Sequence, residues 1–361
     1  MLAERTESLK DIAVKPGRLR SMPILILNVH ENCNCRCLMC DIWKRPAGSE
    51  LDLKNLSRYR DSLRTLGVRQ VVLTGGEPLL HSHFDELCAL LKESGVRITL
   101  LTTGLLLAKR AESVVKWVDE IIISLDGPES VHDSIRRVRR GFDLIRIGIA
   151  TIRSDRPDMP IQARSTVQRA NFLFLRDTVT ASKQLGFDSI SFLAIDVSSH
   201  AFNRELVWPG ERQNEIALTR TETAALEDEI ELLIEQFRDE IVRRYIVERP
   251  DKLRRIARRF REHLRELPPE APVCNAPWIS AVVEVDGSVR PCFFHPRIGS
   301  VGTKTLEEAI NSIEARRFRQ ALDVARDQTC QRCVCSISYK SRPSIQLPIH
   351  LSSELEIHKS S

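Results

Sequence analysis

The sequence predicts an α/β fold built on a parallel sheet, with a smaller region of different texture behind it. Three observations carry this. Short β-branched runs alternate with amphipathic stretches six times between residues 24 and 194. A purely helical pattern follows, and a cysteine-bearing hairpin region begins at Cys274. At 361 residues and 42% apolar content, the chain can bury a substantial core, as one large domain with an appendage or as two domains.

The predicted strands are 24–29, 70–74, 97–102, 120–125, 161–167 and 189–194. Between them lie helical patterns such as Phe84, Leu87, Leu90 and Leu91, with apolar residues three and four apart. Six such units imply right-handed crossovers, although periodicity does not decide whether the sheet is flat or curved. Residues 198–214 read as an irregular connection. Thr219 to Glu222 forms a capping-box pattern that opens a helix carrying Leu226, Ile230, Leu233, Ile234, Phe237 and Ile241 on one stripe. A second helix follows Pro250, with Leu253, Ile256, Phe260 and Leu264 inward. Its Arg254, Arg255, Arg258, Arg259 and Arg261 form a solvated face or a dock for an acidic partner. Asp286-Gly287 then marks a hairpin between 281–285 and 288–294, before a short helix around 306–322. The implied divisions are an N-terminal extension 1–22, a core 23–197, a linker and helical segment 198–270, a cysteine-bearing domain 271–340 and a loosely packed tail 341–361.

The net charge of +5 is spread along the chain, giving no reason to expect nucleic acid. No apolar run approaches the roughly 20 residues of a membrane helix, and the N-terminus lacks the apolar core of a signal peptide. The expected location is the cytoplasm, where ten cysteines stay reduced and clustered ones point to metal.

Cys33, Cys37 and Cys40 form a C-x3-C-x2-C array directly after the first predicted strand. Three thiolates on one loop can hold three irons of a [4Fe-4S] cube and leave the fourth without a protein ligand, open to a cosubstrate. Structural zinc wants four closed ligands and fits this spacing poorly. Cys35, inside the first spacing, reads as a bystander crowded out by its neighbours, and Cys88 as a core residue. Strand two ends in Thr74-Gly75-Gly76-Glu77-Pro78, strand three in Thr102-Thr103-Gly104, and strand four in Ser124-Leu125-Asp126-Gly127 followed by His132-Asp133-x-x-Arg136. All lie at strand C-termini or just beyond, where parallel α/β folds bind ligands.

This set resembles the radical S-adenosylmethionine superfamily, in the subset with a C-terminal SPASM or twitch extension. The resemblance implies a partial (β/α)6 TIM-like barrel of the radical SAM type, then a helical segment and a small α+β SPASM/twitch-like cluster-binding domain. It implies that Met39 lies near the adenine and that Gly75, Gly76, Glu77 and Pro78 hold the methionine amino group. Ser124 and Arg136 would contact the cosubstrate, Arg136 through its carboxylate. Thr103 stands where many relatives have Asn. His132 and Asp133 read as helix-capping residues.

Cys274 and Cys292 flank the hairpin, and Cys330 and Cys333 form a C-x2-C pair with Cys335 beyond it. Four such thiolates close a complete [4Fe-4S] site, with zinc as the competitor from spacing alone. The resemblance favours one auxiliary [4Fe-4S] cluster on Cys274, Cys292, Cys330 and Cys333, with Cys335 as an alternative for either of the last two. It implies reductive cleavage of S-adenosylmethionine to a 5'-deoxyadenosyl radical, a low-potential electron donor of flavodoxin or ferredoxin type, and oxidation or modification of a small molecule or a peptide. With Cys33 so near the start, a peptide maturase would depend on a separate leader-binding protein. Phe293 and Phe294 after Cys292 leave no sulfatase-maturing base. The rival of another class is a non-catalytic zinc or electron-transfer protein.

Overall fold

The computed structural model describes residues 17–45, 48–201, 206–302, 304–337 and 339, so the predicted tail lies outside the described residues. The first half alternates as the periodicity demands. It runs β1 Ile24–His30, α1 Leu53–Thr65, β2 Gln70–Gly75, α2 Phe84–Lys92, β3 Arg97–Thr102, α3 Ala111–Trp117 and β4 Glu120–Ser124. Next come α4 Glu129–Arg136, α5 Gly141–Asp155, β5 Ile161–Val167, α6 Leu175–Leu185 and β6 Ser189–Ala194. All six strands pair in parallel and in sequence order. Their side chains alternate: Ile121 and Ile123 of β4, and Ala163 and Ser165 of β5, are buried, while Ile122, Ser124 and Arg164 are partly open. Cys88 is completely buried on α2, beside Leu87 and Leu91.

The helical segment comprises α7 Gly210–Ile216, α8 Arg220–Gln236, α9 Arg238–Val242 and α10 Pro250–His263. Thr219 and Glu222 make the expected reciprocal capping box. The single helix expected through Ile241 breaks at Phe237, whose backbone leaves helical geometry, although Phe237 and Ile241 both remain buried. The connection before it is not wholly irregular, because α7 starts at Gly210 behind Pro209, a favourable helix entry. Proline likewise opens α10.

The remainder comprises α11 Ala276–Ile279, β7 Ser280–Val283, β8 Ser288–Arg290, β9 Gly299–Ser300, α12 Leu306–Ile310, α13 Ile313–Ala321 and α14 Gln328–Gln331. β7 joins the main sheet, pairing in parallel with β1 from Ile24↔Ser280 to Leu27↔Val283, so one sheet runs β6-β5-β4-β3-β2-β1-β7-β8-β9. The hairpin forms at Asp286-Gly287, with Gly287 at φ 80° and Asp286 accepting from the Ser288 amide at 2.8 Å. Its second strand is shorter than expected, because the chain turns away after Arg290 and carries Cys292 toward the other cysteines. The helix expected over 306–322 is two, separated where Ser312 caps α13. No helix among the described residues is long and apolar enough to cross a membrane.

Candidate functional site

The loop after β1 is fixed from several sides. The amides of Arg36 and Leu38 donate to the carbonyls of Arg136 and Ile135 at the end of α4, at 3.2 and 3.0 Å. Gly76 and Glu77 donate to His30 and Asn32 at 2.7 and 2.8 Å. Trp43 Nε1 reaches the Cys37 carbonyl at 3.3 Å, and Trp208, just before α7, donates to Asp41 at 2.6 Å. A Cβ on Gly75, which has φ +135°, would collide with the His30 carbonyl, and one on Gly76 with the Asn32 carbonyl. The two glycines are therefore required by the cysteine loop's own backbone, a closer reason than the approach of a ligand.

Within this loop Cys35 and Cys37 are buried, whereas Cys33 and Cys40 are partly open. Hydrogen bonds to Cys33 and Cys37, then burial, push the Cys35 thiol far up. Hydrogen bonding from Cys35 brings Cys37 down to about 6, against desolvation and with help from the Arg136 guanidinium. Cys37 is thus the easier of the two to ionise, and Cys35 holds its proton. Met39 is buried beside them. Asn34 Nδ2 is buried with no acceptor among the described residues, a donor left over next to three thiols. A soft thiolate set with a spare buried N–H suits an iron-sulfur cluster carrying a polar cosubstrate.

Glu77 is fully buried, and its carboxylate is already served by its own chain. Thr102 Oγ1, Thr103 N and the Thr103 hydroxyl each lie 2.8 Å away, and Leu79 N lies at 3.1 Å. Burial raises its carboxyl above the ordinary range, and those donors oppose the rise. Thr103, which stands in the place of the common Asn, therefore makes its polar contact with Glu77, through both its amide and its hydroxyl. Pro78 starts the short turn that follows.

Arg136 is buried, so a surface salt bridge is excluded. Its Nε and Nη2 both lie 2.7 Å from Oδ2 of Asp126, which is wholly inaccessible, and Nη1 lies 3.6 Å from Cys37 Sγ. Burial alone would lower this guanidinium, but Asp126 and Cys37 raise it. Asp126 is held in turn by the Thr166 amide at 2.9 Å. His132 accepts from the Asp126 amide at 3.3 Å, and Asp133 accepts from the Phe142 amide at 2.9 Å, in the first turn of α5. Ser124 pairs in register with Arg164 of β5. Asp126 carried no signal beyond its motif, and its role as partner of Arg136 emerges only from the fold.

A lumen of about 180 Å³, room for about six waters, lies beyond this loop. Ile42, Thr74, Gly75, Arg164, Phe293, Phe294 and Cys335 are among the residues that line it. Arg164 Nε lies 3.3 Å from Ser191 Oγ, and Arg290 Nε lies 3.2 Å from Glu284. A side cleft along the outer strand β6 is walled by Lys252, Arg255 and Arg259 of α10 and by residues 333–336.

All five downstream cysteines, Cys274, Cys292, Cys330, Cys333 and Cys335, line one further cavity. Burial raises several of these thiols, with Asp327 adding to the rise at Cys330 and neighbouring cysteines adding to it at Cys333, and Cys292 is pushed up to about 11. Cys335 is exposed, and it borders the lumen as well. Soft sulfur ligands in such number suit a cluster or zinc. Sequence reasoning missed His295, whose Nε2 lies 3.3 Å from Cys330 Sγ and 3.6 Å from Asp327; its only signal is its place three residues after Cys292.

Two family models match the chain: the radical SAM superfamily over residues 27–156 and the SPASM iron-sulfur cluster-binding domain over 274–334. Among curated proteins, the AdoMet-dependent heme synthase of Methanosarcina barkeri is 28% identical over 209 residues, 54% of this chain and 59% of that protein. The subtilosin biosynthesis protein AlbA of Bacillus subtilis is 24% identical over 314 residues, 85% of this chain and 63% of that protein. The aligned stretches thus span less than two thirds of either relative. Streptococcus suis SuiB bound to S-adenosylmethionine superposes with a TM-score of 0.61 at 13% identity, covering 89% of this chain and 74% of that one. Native anSMEcpe with bound AdoMet gives 0.61 at 16% identity, covering 86% of this chain and 85% of that one. At these identities the two structures establish a shared fold.

Proposed function

Because the chain belongs to the radical S-adenosylmethionine superfamily and carries a SPASM domain, we propose that it cleaves S-adenosylmethionine reductively and removes a hydrogen atom from a substrate held in the lumen. The observation that carries this is the loop of Cys33, Cys37 and Cys40 packed against Gly75-Gly76 and Arg136, with Gly75 also lining a lumen that Cys335 of the second cysteine group borders. The chemistry supplied at such a loop is one-electron cleavage of the sulfonium, giving a 5'-deoxyadenosyl radical that abstracts hydrogen.

The chain's own residues do the rest. Cys33, Cys37 and Cys40 would hold three irons of the first cluster, with the Arg136 guanidinium 3.6 Å from Cys37 Sγ to favour its thiolate. Arg136 and Asp126 keep a fixed charge pair at the loop. With its acceptor positions filled by Thr102, Thr103 and Leu79, Glu77 shapes the strand ends, leaving the cosubstrate's ammonium to the backbone carbonyls around Gly75 and Gly76. Asn34 Nδ2, Ser124 and Met39 are assigned to the cosubstrate's polar and adenine ends. Leu101, Leu193, Phe293 and Phe294 would help exclude water from the reacting carbon in the lumen they line. Cys274, Cys292, Cys330 and Cys333 would hold one auxiliary [4Fe-4S] cluster, which would supply an electron acceptor or conduit there.

The substrate is a small molecule or a peptide side chain, either of which the lumen volume admits. The likeness to AlbA, by name a bacteriocin biosynthesis protein, favours the peptide. The arginines of α10 do little for an acidic leader, since Arg254, Arg258 and Arg261 are already paired with Glu231, Glu262 and Glu227. We place the enzyme in the cytoplasm, served by a flavodoxin or ferredoxin. Anaerobic reconstitution tests the reading. About eight irons per chain, with equimolar 5'-deoxyadenosine and methionine on reduction, is expected for two cubes. Zinc with little iron and no cleavage would support the non-catalytic rival.

A further inference from the structure

Sulfurs that hold a cluster collect N–H donors, because the negative charge on them grows when the cluster is reduced. Three of the four proposed auxiliary ligands find such donors in the backbone. The Ala276 amide lies 3.5 Å from Cys274 Sγ, the Cys335 amide 3.4 Å from Cys333 Sγ, and the amides of Phe294 and His295 serve Cys292. Cys330 differs. It sits within the single turn of α14, where its own amide donates to the N-capping Asp327 at 2.8 Å, and no backbone amide among the described residues serves its sulfur. What faces that sulfur is His295 Nε2 at 3.3 Å, together with the Asp327 carboxylate.

The Asp327 carboxylate can only accept, so it takes the thiol proton while Cys330 is protonated and offers nothing to a thiolate on iron. Among the described residues, the imidazole is the one group placed to donate to the sulfur. Its ring is fixed in place, 3% exposed and edge-on to Phe318 with ring centroids 4.8 Å apart. We propose that His295 donates a hydrogen bond to the Cys330 sulfur and thereby raises the reduction potential of the auxiliary cluster. This rests on the reading of the second cysteine group as a [4Fe-4S] site. Cys335 contributes its amide to Cys333, and it borders both the cysteine cavity and the lumen.

The test uses reconstituted full-length protein with Cys33, Cys37 and Cys40 replaced by Ala, so that only the auxiliary signal remains. With four irons retained, His295→Leu is expected to shift the reduction equilibrium about tenfold toward the oxidised cluster, roughly 59 mV for a one-electron couple. His295→Gln, which keeps an N–H, is expected to recover much of that shift. A His295→Leu protein with its full iron and an unchanged midpoint overturns the proposal. The parent carries a second arm in case His295→Leu loses its cluster. With 15N-labelled histidine, the weak coupling of a hydrogen-bonded imidazole is expected, and either no coupling or the strong coupling of an iron-bound nitrogen overturns it. If the parent assembles no [4Fe-4S] cluster at all, the auxiliary-site reading itself falls, an outcome distinct from an unchanged midpoint.

Discussion

Gly76 has no room for a side chain, because a Cβ would run into the Asn32 carbonyl that starts the cysteine loop. Gly76→Ala must push that loop outward, at an overpacking cost of about 1–3 kcal/mol. A lower melting temperature together with reduced iron at the first site is expected, and full iron at unchanged stability would contradict the packing argument. His132 gives a residue-scale prediction in pH. Burial lowers it to about 3 in the folded protein, whereas unfolded histidine titrates near 6.5. Between those values the unfolded chain binds more protons, so stability declines as pH falls from about 6.5 toward 3, by up to ~1.4 kcal/mol per unit. Urea unfolding at pH 7 and pH 5 should show that slope, and His132→Asn should flatten it. At this scale the sequence told which residues matter more readily than what they do. Gly75, Gly76, Glu77 and Arg136 stand out as a set, but Glu77 turns out to be saturated by Thr102, Thr103 and Leu79, and Arg136 to be paired with Asp126. Partners far apart in sequence leave no local pattern to read.

Among the elements, the six parallel strands were legible because a two-residue alternation switching to a helical period is a local property. The pairing of β7 with β1 was not, since periodicity says nothing about which strand lies alongside. That pairing couples the two cysteine groups through one sheet. Because β7 lies between β1 and β8, Val282→Pro removes an interior ladder bond, and iron at the auxiliary site is expected to fall with it. Normal iron and a normal melting temperature in that variant would show the pairing to be dispensable. On α10, the Arg254–Glu231 pair is more than half exposed on both sides, so Arg254→Ala should cost less than about 1 kcal/mol. It should leave 5'-deoxyadenosine formation at its original rate, as measured anaerobically by chromatography.

For the molecule as a whole, two groups of cysteines flank one sheet: Cys33, Cys37 and Cys40 just after the C-terminal edge of β1, and five cysteines lining a cavity where residues 274–335 fold against the sheet, with Cys335 of that group also bordering the lumen. The helical segment contributes the wall of the side cleft and, through Trp208 and Arg212, a brace on the first loop. The whole account depends on the first loop supplying three thiolates and no fourth. Anaerobic, dithionite-reduced protein with S-adenosylmethionine measures this most directly, with wild type and Cys37→Ala reconstituted side by side. The account predicts that 5'-deoxyadenosine forms with the wild type and falls to background with Cys37→Ala, while the auxiliary site keeps about four irons. Formation at the wild-type rate in Cys37→Ala would contradict it.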